Sequence, residues 1–213
     1  MKVNLAYGQS HLAVDLPDDV TTVIEPLHTP GLPDEKSAVL QALASPIGAK
    51  SLREWIKPGD KICIAFTDLT RATPNDRIIP WLLEYLSFHP REHITLLNQL
   101  GTHRPNTQAE LEKMLTPEVV RNYRVLNHEP ENAAVMKQFG VMHDGTPALI
   151  NKHLTDADVR IITGFIEPHF FAGFSGGPKG IMPGCAALET VMSSHDARNI
   201  GDPRSAFGIT IGN

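Results

Sequence analysis

The stretch Lys61-Ile62-Cys63-Ile64-Ala65-Phe66 constrains the fold more than any other part of this chain. From Ile62 onward it is apolar without alternation, so a strand built from it has no face left for water. Strands of that kind sit in parallel sheets covered on both sides. The run passes directly into Thr67-Asp68-Leu69-Thr70-Arg71, and Pro74-Asn75 then leads into an apolar helical stretch over 78–86. The same succession recurs. Residues 93–98 are strand-like and end in Gly101-Thr102-His103-Arg104-Pro105. Thr107 caps a helix to 115, and Thr116-Pro117 opens another with proline at its first position.

Further strands are expected over 124–127, 147–152 and 159–165, and helices over 132–139, ended by Gly140, and over 186–194. Strands alternating with helices predict an α/β fold with a mostly parallel sheet, flanking helices and Rossmann-like connectivity. Ahead of it, residues 2–7 and 11–16 alternate around Gly8-Gln9-Ser10 and predict a β-hairpin. Residues 20–24 are a short β-like run, and a proline-rich connection over 26–33 follows. Asp34 caps a helix over 35–44, and Ser51 starts a short one ended by Pro58-Gly59. The 26–33 connection is the one candidate boundary. It is not expected to separate independent domains, so residues 1–213 read as one domain. A strand-like Gly208-Ile209-Thr210-Ile211 comes just before the end.

Charge and cysteine usage narrow the function classes. Nineteen Lys and Arg against 24 Asp and Glu give a net charge of −5, with no basic run. That composition disfavours nucleic acid and anionic membrane as partners. No apolar run is long enough to span a bilayer, and the first residues lack the apolar core of a signal peptide, so a cytoplasmic location is expected. Cys63 and Cys185 are the only cysteines, and neither belongs to a CxxC pair. A disulfide between them stays open, whereas a zinc ribbon is disfavoured. Any metal must be held by histidine, carboxylate or ligands brought in by a cofactor.

Three strand ends carry chemistry-bearing residues: the Asp68 turn, the His103 turn and the His169 turn. Ligands of open α/β sheets bind at the carboxyl ends of strands, so these turns are expected to converge. Asp68, Thr70 and Arg71 supply a carboxylate, a hydroxyl and a guanidinium; the bland alternative is a capped turn with a local Asp–Arg pair. His103 could act as acid or base near neutral pH, or be a surface histidine followed by a second arginine, Arg104. The third turn, Glu167-Pro168-His169-Phe170-Phe171-Ala172-Gly173-Phe174-Ser175-Gly176-Gly177-Pro178-Lys179-Gly180, continues through Pro183-Gly184 and holds five glycines up to that point. So much backbone freedom beside Ser175, Lys179 and His169 is costly in a plain linker and fitting in a loop that wraps a phosphate or a flat cofactor. Phe170, Phe171 and Phe174 make either a dry pocket or core. The loop is neither a P-loop nor a GxGxxG motif. His195 closes the following helix, where the macrodipole alone would favour it. The other seven histidines lie in ordinary segments. The residues themselves point to a cofactor enzyme acting on a small anion. A non-catalytic module for a nucleotide or a metal cofactor and a phosphate-ester enzyme stay open as alternatives.

Asp68-Leu69-Thr70-Arg71, Gly101-Thr102-His103-Arg104-Pro105, and the third turn continued through Glu189-Thr190-Val191-Met192-Ser193-Ser194-His195, in that order, resemble the nickel-dependent lactate racemase family from about residue 37 to the end. The resemblance implies a racemase or epimerase of lactate-like 2-hydroxy acids. It implies nickel held in a nickel-pincer nucleotide, a pyridinium mononucleotide with two sulfur donors and a ring carbon on the metal. On the matching positions, His195 is the metal ligand. Lys179 can attach to the cofactor through a thioamide. Asp68, Thr70, Arg71, Ser175, Gly176 and Gly177 lie around cofactor and substrate, and His103 and His169 are the two acid/base groups. Residues 1–213 would then be the N-terminal, catalytic and cofactor-binding domain. Family members are about twice as long, so a C-terminal domain is expected to complete the site.

Overall fold

The computed structural model describes residues 1–25 and 27–210. It divides into two compact units, Met1–Glu35 and Lys36–Asn213, with the division directly after the proline-rich connection. The last residue of the strand-like 208–211 stretch lies outside the described residues, and residues 208–210 form no strand.

The first unit is the expected hairpin. β1 (Lys2–Tyr7) pairs antiparallel with β2 (Ser10–Asp15), Val3 opposite Val14. Gly8 turns the chain with φ +61°, a conformation glycine adopts without a Cβ penalty. Residues 20–24 form no strand.

In the second unit α1 (Glu35–Ala44) and α2 (Leu52–Trp55) precede the sheet, and Ser51 and Glu54 close a capping box on α2. β3 (Ile62–Phe66) is followed by α3 (Asn75–Tyr85), β4 (Ile94–Asn98), α4 (Gln108–Leu115), α5 (Pro117–Asn122) and β5 (Arg124–Asn127). Next come β6 (Met136–Val141), β7 (Pro147–Asn151), α6 (Lys152–Thr155) and β8 (Val159–Ile162). A short hairpin of β9 (Pro168–His169) and β10 (Gly173–Phe174), then α7 (Leu188–Ser194) and α8 (Ala197–Ile200), complete the elements.

The main sheet has four parallel strands in the order β5-β4-β3-β8. All five residues of β3 are buried, as its unbroken apolar run requires. Successive residues point to opposite faces. Ile62, Ile64 and Phe66 therefore join one core cluster with Ile79, Leu83, Leu96 and Leu115. Cys63 and Ala65 join the other, with Leu97, Ile150, Leu154, Cys185 and Val191. The connection from β3 runs outward through β4 to β5, and β8 then returns to the opposite side of β3. This reversal is a topological switch point, where the carboxyl ends of neighbouring strands leave a crevice.

A further expectation fails. Residues 132–139 are not a helix: Ala133–Val135 make a single 3-10 turn, and β6 then pairs antiparallel with β7. The cause is the Asp144-Gly145 turn. Gly145 has φ +88°, Asp144 Oδ1 accepts from the Thr146 N–H at 2.9 Å, and the Met142 N–H donates to Thr146 O at 2.7 Å. Turn chemistry of this kind overrides the modest helix preference of Ala, Met, Lys and Gln. Among the described residues no helix is long and apolar enough to cross a membrane.

Candidate functional site

The loops after β3, β4 and β8 converge on a cavity of about 340 Å³ at the carboxyl ends of the strands. Asp68, Arg71, His103, His169, Ser175, Gly176, Lys179 and His195 all line it, whereas Thr70 and Gly177 do not.

The loop after β3 is anchored by Asn75 at the start of α3, whose Nδ2 donates to Thr67 O at 2.8 Å. Asp68 is 4% exposed. Its Oδ1 accepts from the Thr70 N–H at 3.2 Å and the Thr70 hydroxyl at 2.7 Å, and its Oδ2 lies 2.6 Å from His103 Nδ1. The local Asp–Arg pair of the bland alternative does not form among the described residues. Arg71 instead lies 3.7 Å from Glu167.

The loop after β4 is held from two directions. The Gly101 N–H donates to Gly184 O at 2.9 Å, and the His103 N–H to Leu100 O at 3.0 Å. Arg104 turns away and grips Glu110 bidentately at 2.9 and 2.7 Å. Those bonds hold the Glu110 carboxyl down at about 2. Behind the loop is a set of amides that sequence reading missed. Asn98 Nδ2 donates to Asn106 Oδ1 and Asn127 Oδ1, and Asn127 Nδ2 donates back to Asn106 O. Asparagine at the last position of both β4 and β5 was the available signal.

In the loop after β8, Ser175 ties the loop to itself. Its hydroxyl donates to Phe165 O at 2.6 Å and accepts from the Glu167 N–H at 3.0 Å, and its own N–H donates to Glu167 O at 2.9 Å. These bonds pin the short hairpin that presents His169. The imidazole stacks on Phe170 with centroids 4.7 Å apart and meets Phe171 edge-on at the same distance. Phe171 also stands edge-on to His195 at 5.2 Å and lies 5.7 Å from Lys179 Nζ. One ring thus contacts all three candidate groups. Phe174 does not line the cavity.

Lys179 sits in the 3-10 turn Gly177–Gly180 and makes no ion pair among the described residues. Burial first, and the charge of Arg71 second, push its pKa down. Neither the Gly176 nor the Gly177 N–H has a hydrogen-bond partner among the described residues. The carbonyl-type Oε1 of Gln99, in the cavity wall, is also buried without a partner. Lys179 and the Gly176 N–H are thus an unmatched cation and donor that suit an anionic group, whereas the Gln99 oxygen suits a donor.

His195 caps α7, and its Nδ1 lies 3.2 Å from Val191 O and 2.8 Å from Ser194 Oγ. A carbonyl only accepts, so Nδ1 carries the proton and Nε2 keeps a lone pair, the state in which imidazole ligates a metal. Burial pushes its pKa down, partly opposed by the Val191 carbonyl. No three His, Cys, Asp or Glu side chains among the described residues gather around a common point. A metal here would take one imidazole from the chain and its other donors from a bound group.

The lactate racemase N-terminal domain family matches residues 7–208. A lactate racemase of Thermoanaerobacterium thermosaccharolyticum is 33% identical over 97% of this chain and 50% of its own length. One of Lactiplantibacillus plantarum is 37% identical over 82% of this chain and 41% of its own. The structure of the T. thermosaccharolyticum lactate racemase apoprotein superposes with a TM-score of 0.83 over 98% of this chain and 49% of that one. A crystal structure from Thermotoga maritima, 25% identical, superposes at 0.69 over 85% of this chain and 46% of that one. The chain spans about half the length of the curated relatives it matches. On the match over nearly its whole length, the chain belongs to the lactate racemase N-terminal domain family.

Proposed function

We propose that this chain is the N-terminal, cofactor-binding catalytic half of a racemase acting on lactate or a similar small 2-hydroxy acid, with nickel in a pincer nucleotide as its cofactor. The observation that carries the reading is the meeting of His103, His169, Arg71 and an unpaired Lys179 on one cavity. The names of the relatives support the same reaction class. A second domain is proposed to complete the site, and the cytoplasm is the proposed compartment.

The residues present fit such a cofactor. Lys179 and the Gly176 amide offer a cation and an N–H donor to its anionic groups, and His195 offers an imidazole to nickel, for which that ligand is suited. When bound, the cofactor supplies an electron-poor ring able to take a hydride from the α-carbon. The chain's own residues do the rest. Arg71 grips the carboxylate of the acid and orients it. Phe171, edge-on to His169, covers one side of its ring. The alcohol proton must leave as the C–H hydrogen leaves, and an imidazole lined up on the cavity is the group that takes it.

A chiral assay of a hydroxy-acid panel with full-length, cofactor-loaded enzyme tests the proposal. Interconversion of lactate or a close analogue is expected, lost in both His103→Ala and His169→Ala with nickel retained. Normal racemisation in both variants would overturn the acid/base assignment, and no racemisation of any panel member would overturn the reaction.

A further inference from the structure

Several donors crowd one carbonyl at the end of α7. The His195 N–H donates to Val191 O at 3.0 Å, which continues the helical pattern by one residue. The Ser194 hydroxyl donates to the same oxygen at 3.0 Å, a bond of the kind serine makes back along a helix. The His195 imidazole joins them: its Nδ1 lies 3.2 Å from Val191 O and 2.8 Å from Ser194 Oγ.

These contacts cannot all be full bonds. A carbonyl oxygen has two lone pairs. The backbone N–H and the serine hydroxyl fill both, which leaves the longest approach, that of Nδ1, without an acceptor site on Val191 O. Ser194 Oγ supplies one. Its own hydrogen points at Val191 O, so its lone pairs are free to accept from Nδ1–H. The opposite order, with Ser194 donating to a bare Nδ1, would take a donor from Val191 O and set a nitrogen lone pair against that oxygen. The proton on Nδ1 is therefore relayed through the serine to the helix carbonyl.

The surroundings keep this end of the helix in place. Phe171 stands edge-on to the imidazole at 5.2 Å. Asn199 closes the turn into α8, where its Nδ2 donates to Ser193 O at 2.9 Å and its N–H to Asp196 Oδ1 at 2.7 Å. His195 lines the cavity, and its Nε2 has no hydrogen bond among the described residues.

We infer that Ser194 is the positioning residue of His195: its hydroxyl takes the Nδ1 proton, fixes the rotation of the ring and leaves the Nε2 lone pair free for a metal. The inference rests on the cofactor reading for the identity of the metal only. An imidazole in that tautomer ligates without giving up a proton, and a hydrogen bond from its other nitrogen orients the ring and raises its basicity as a ligand.

The first test is long-range 1H–15N correlation of 15N-histidine-labelled, full-length protein without cofactor, above neutral pH, with His195→Gln identifying the signal. His195 is expected as the Nδ1–H tautomer. Ser194→Ala leaves the ring only the occupied Val191 carbonyl, and a mixture of tautomers is expected. Ser194→Thr keeps the hydroxyl and is expected to keep the wild-type pattern. An Nε2–H tautomer in the wild type, or an unmoved His195 signal in Ser194→Ala, overturns the inference. The second test is nickel release from full-length, cofactor-loaded protein into a competing chelator, followed as metal content. Ser194→Ala is expected to lose nickel about 10- to 100-fold more readily, the order expected when a ligating histidine loses its hydrogen-bond partner. Ser194→Thr is expected to restore retention. Equal release from the wild type and Ser194→Ala overturns the inference, and so does a Ser194→Thr protein that releases nickel as Ser194→Ala does while melting like the wild type. The spectra are recorded without cofactor, so the expected tautomers in a protein that takes up no nickel sink the cofactor reading and leave the hold of Ser194 on His195 standing.

Discussion

Arg71 Nη1 lies 3.7 Å from Glu167 Oε1, which links the turn after β3 to the loop after β8. At that distance the contact is an ion pair without a good hydrogen bond, and both side chains are partly open to solvent. Such pairs are worth less than about 1 kcal/mol. Glu167 therefore holds Arg71 in place while competing weakly for it. Glu167→Gln is expected to tighten binding of a small carboxylate such as pyruvate to the full-length protein by up to about fivefold, with the gain shrinking at high salt. Arg71→Ala is expected to weaken it by tenfold or more, roughly the loss of one charged hydrogen-bonding partner. Calorimetric titration measures both, and weaker binding in Glu167→Gln would show that the carboxylate assists the anion instead.

Gly180 has no room for a side chain. A Cβ there would collide with Gln99 Oε1 and lie 2.5 Å from Ile162 Cγ2. Gln99 cannot simply swing aside, because its Nε2 donates to Thr163 O at 2.7 Å. Gly180→Ala is expected to cost about 1–3 kcal/mol and to lower the thermal midpoint by roughly 2–4 °C per kcal/mol. Adding Gln99→Ala should recover part of the loss, with a coupling above about 0.5 kcal/mol. Strict additivity in that double-mutant cycle would mean that the crowding is relieved elsewhere.

Both thiols are predicted to be silent. Cys63 and Cys185 are free and fully buried on the same side of the sheet. Burial pushes the Cys63 thiol up to about 12, and Cys185 is raised by burial and then by Cys63. The thiolate is the reactive form. Native protein should take up no thiol reagent at neutral pH, and both cysteines should label after denaturation. Rapid labelling of native protein would mean that the core face of β3 opens.

Much of this architecture is readable from the chain. The unbroken run at β3 announces a two-sided burial, and Thr107 and Thr116-Pro117 mark helix starts that form where expected. The three polar strand ends converge as the rule for open sheets requires. What escapes sequence reading is long-range. Residues 136–141 carry helix-forming side chains, and the Asp144-Gly145 turn that pairs them with β7 makes them a strand, a local exception. Arg104 looks like a site residue beside His103, yet its partner Glu110 lies on the next helix and turns it outward. Asp68 and Ser175 look like ligand groups, and their polar atoms are instead engaged with His103, Thr70, Phe165 and Glu167. Hydrogen-bond satisfaction inside a folded loop has no one-dimensional signature.

His128 shows the same gap, and it leads to a pH prediction. It reads as an ordinary segment histidine, yet its side chain is fully buried at the end of β5. Its Nε2 lies 2.9 Å from Ala186 O, and its Nδ1 lies 3.0 Å from Asn151 Nδ2. The ring is thus a neutral Nε2–H tautomer bridging β7 to the segment that leads into α7. Burial pushes its pKa down, opposed by the Ala186 carbonyl and Glu129. Below the ordinary histidine range the unfolded chain binds a proton that the folded chain refuses. Unfolding is then favoured as pH falls, and stability rises with pH across that window. The full-length protein should lose thermal stability between about pH 7 and pH 5. His169 and His195 are shifted in the same direction, so a variant is needed to isolate one group. His128→Gln should be less stable at pH 7.5, by about 1–3 kcal/mol for a disturbed buried hydrogen-bond pair. It should also lose less on acidification than the wild type. Parallel curves for the two proteins would show that His128 takes up its proton without disturbing the clamp.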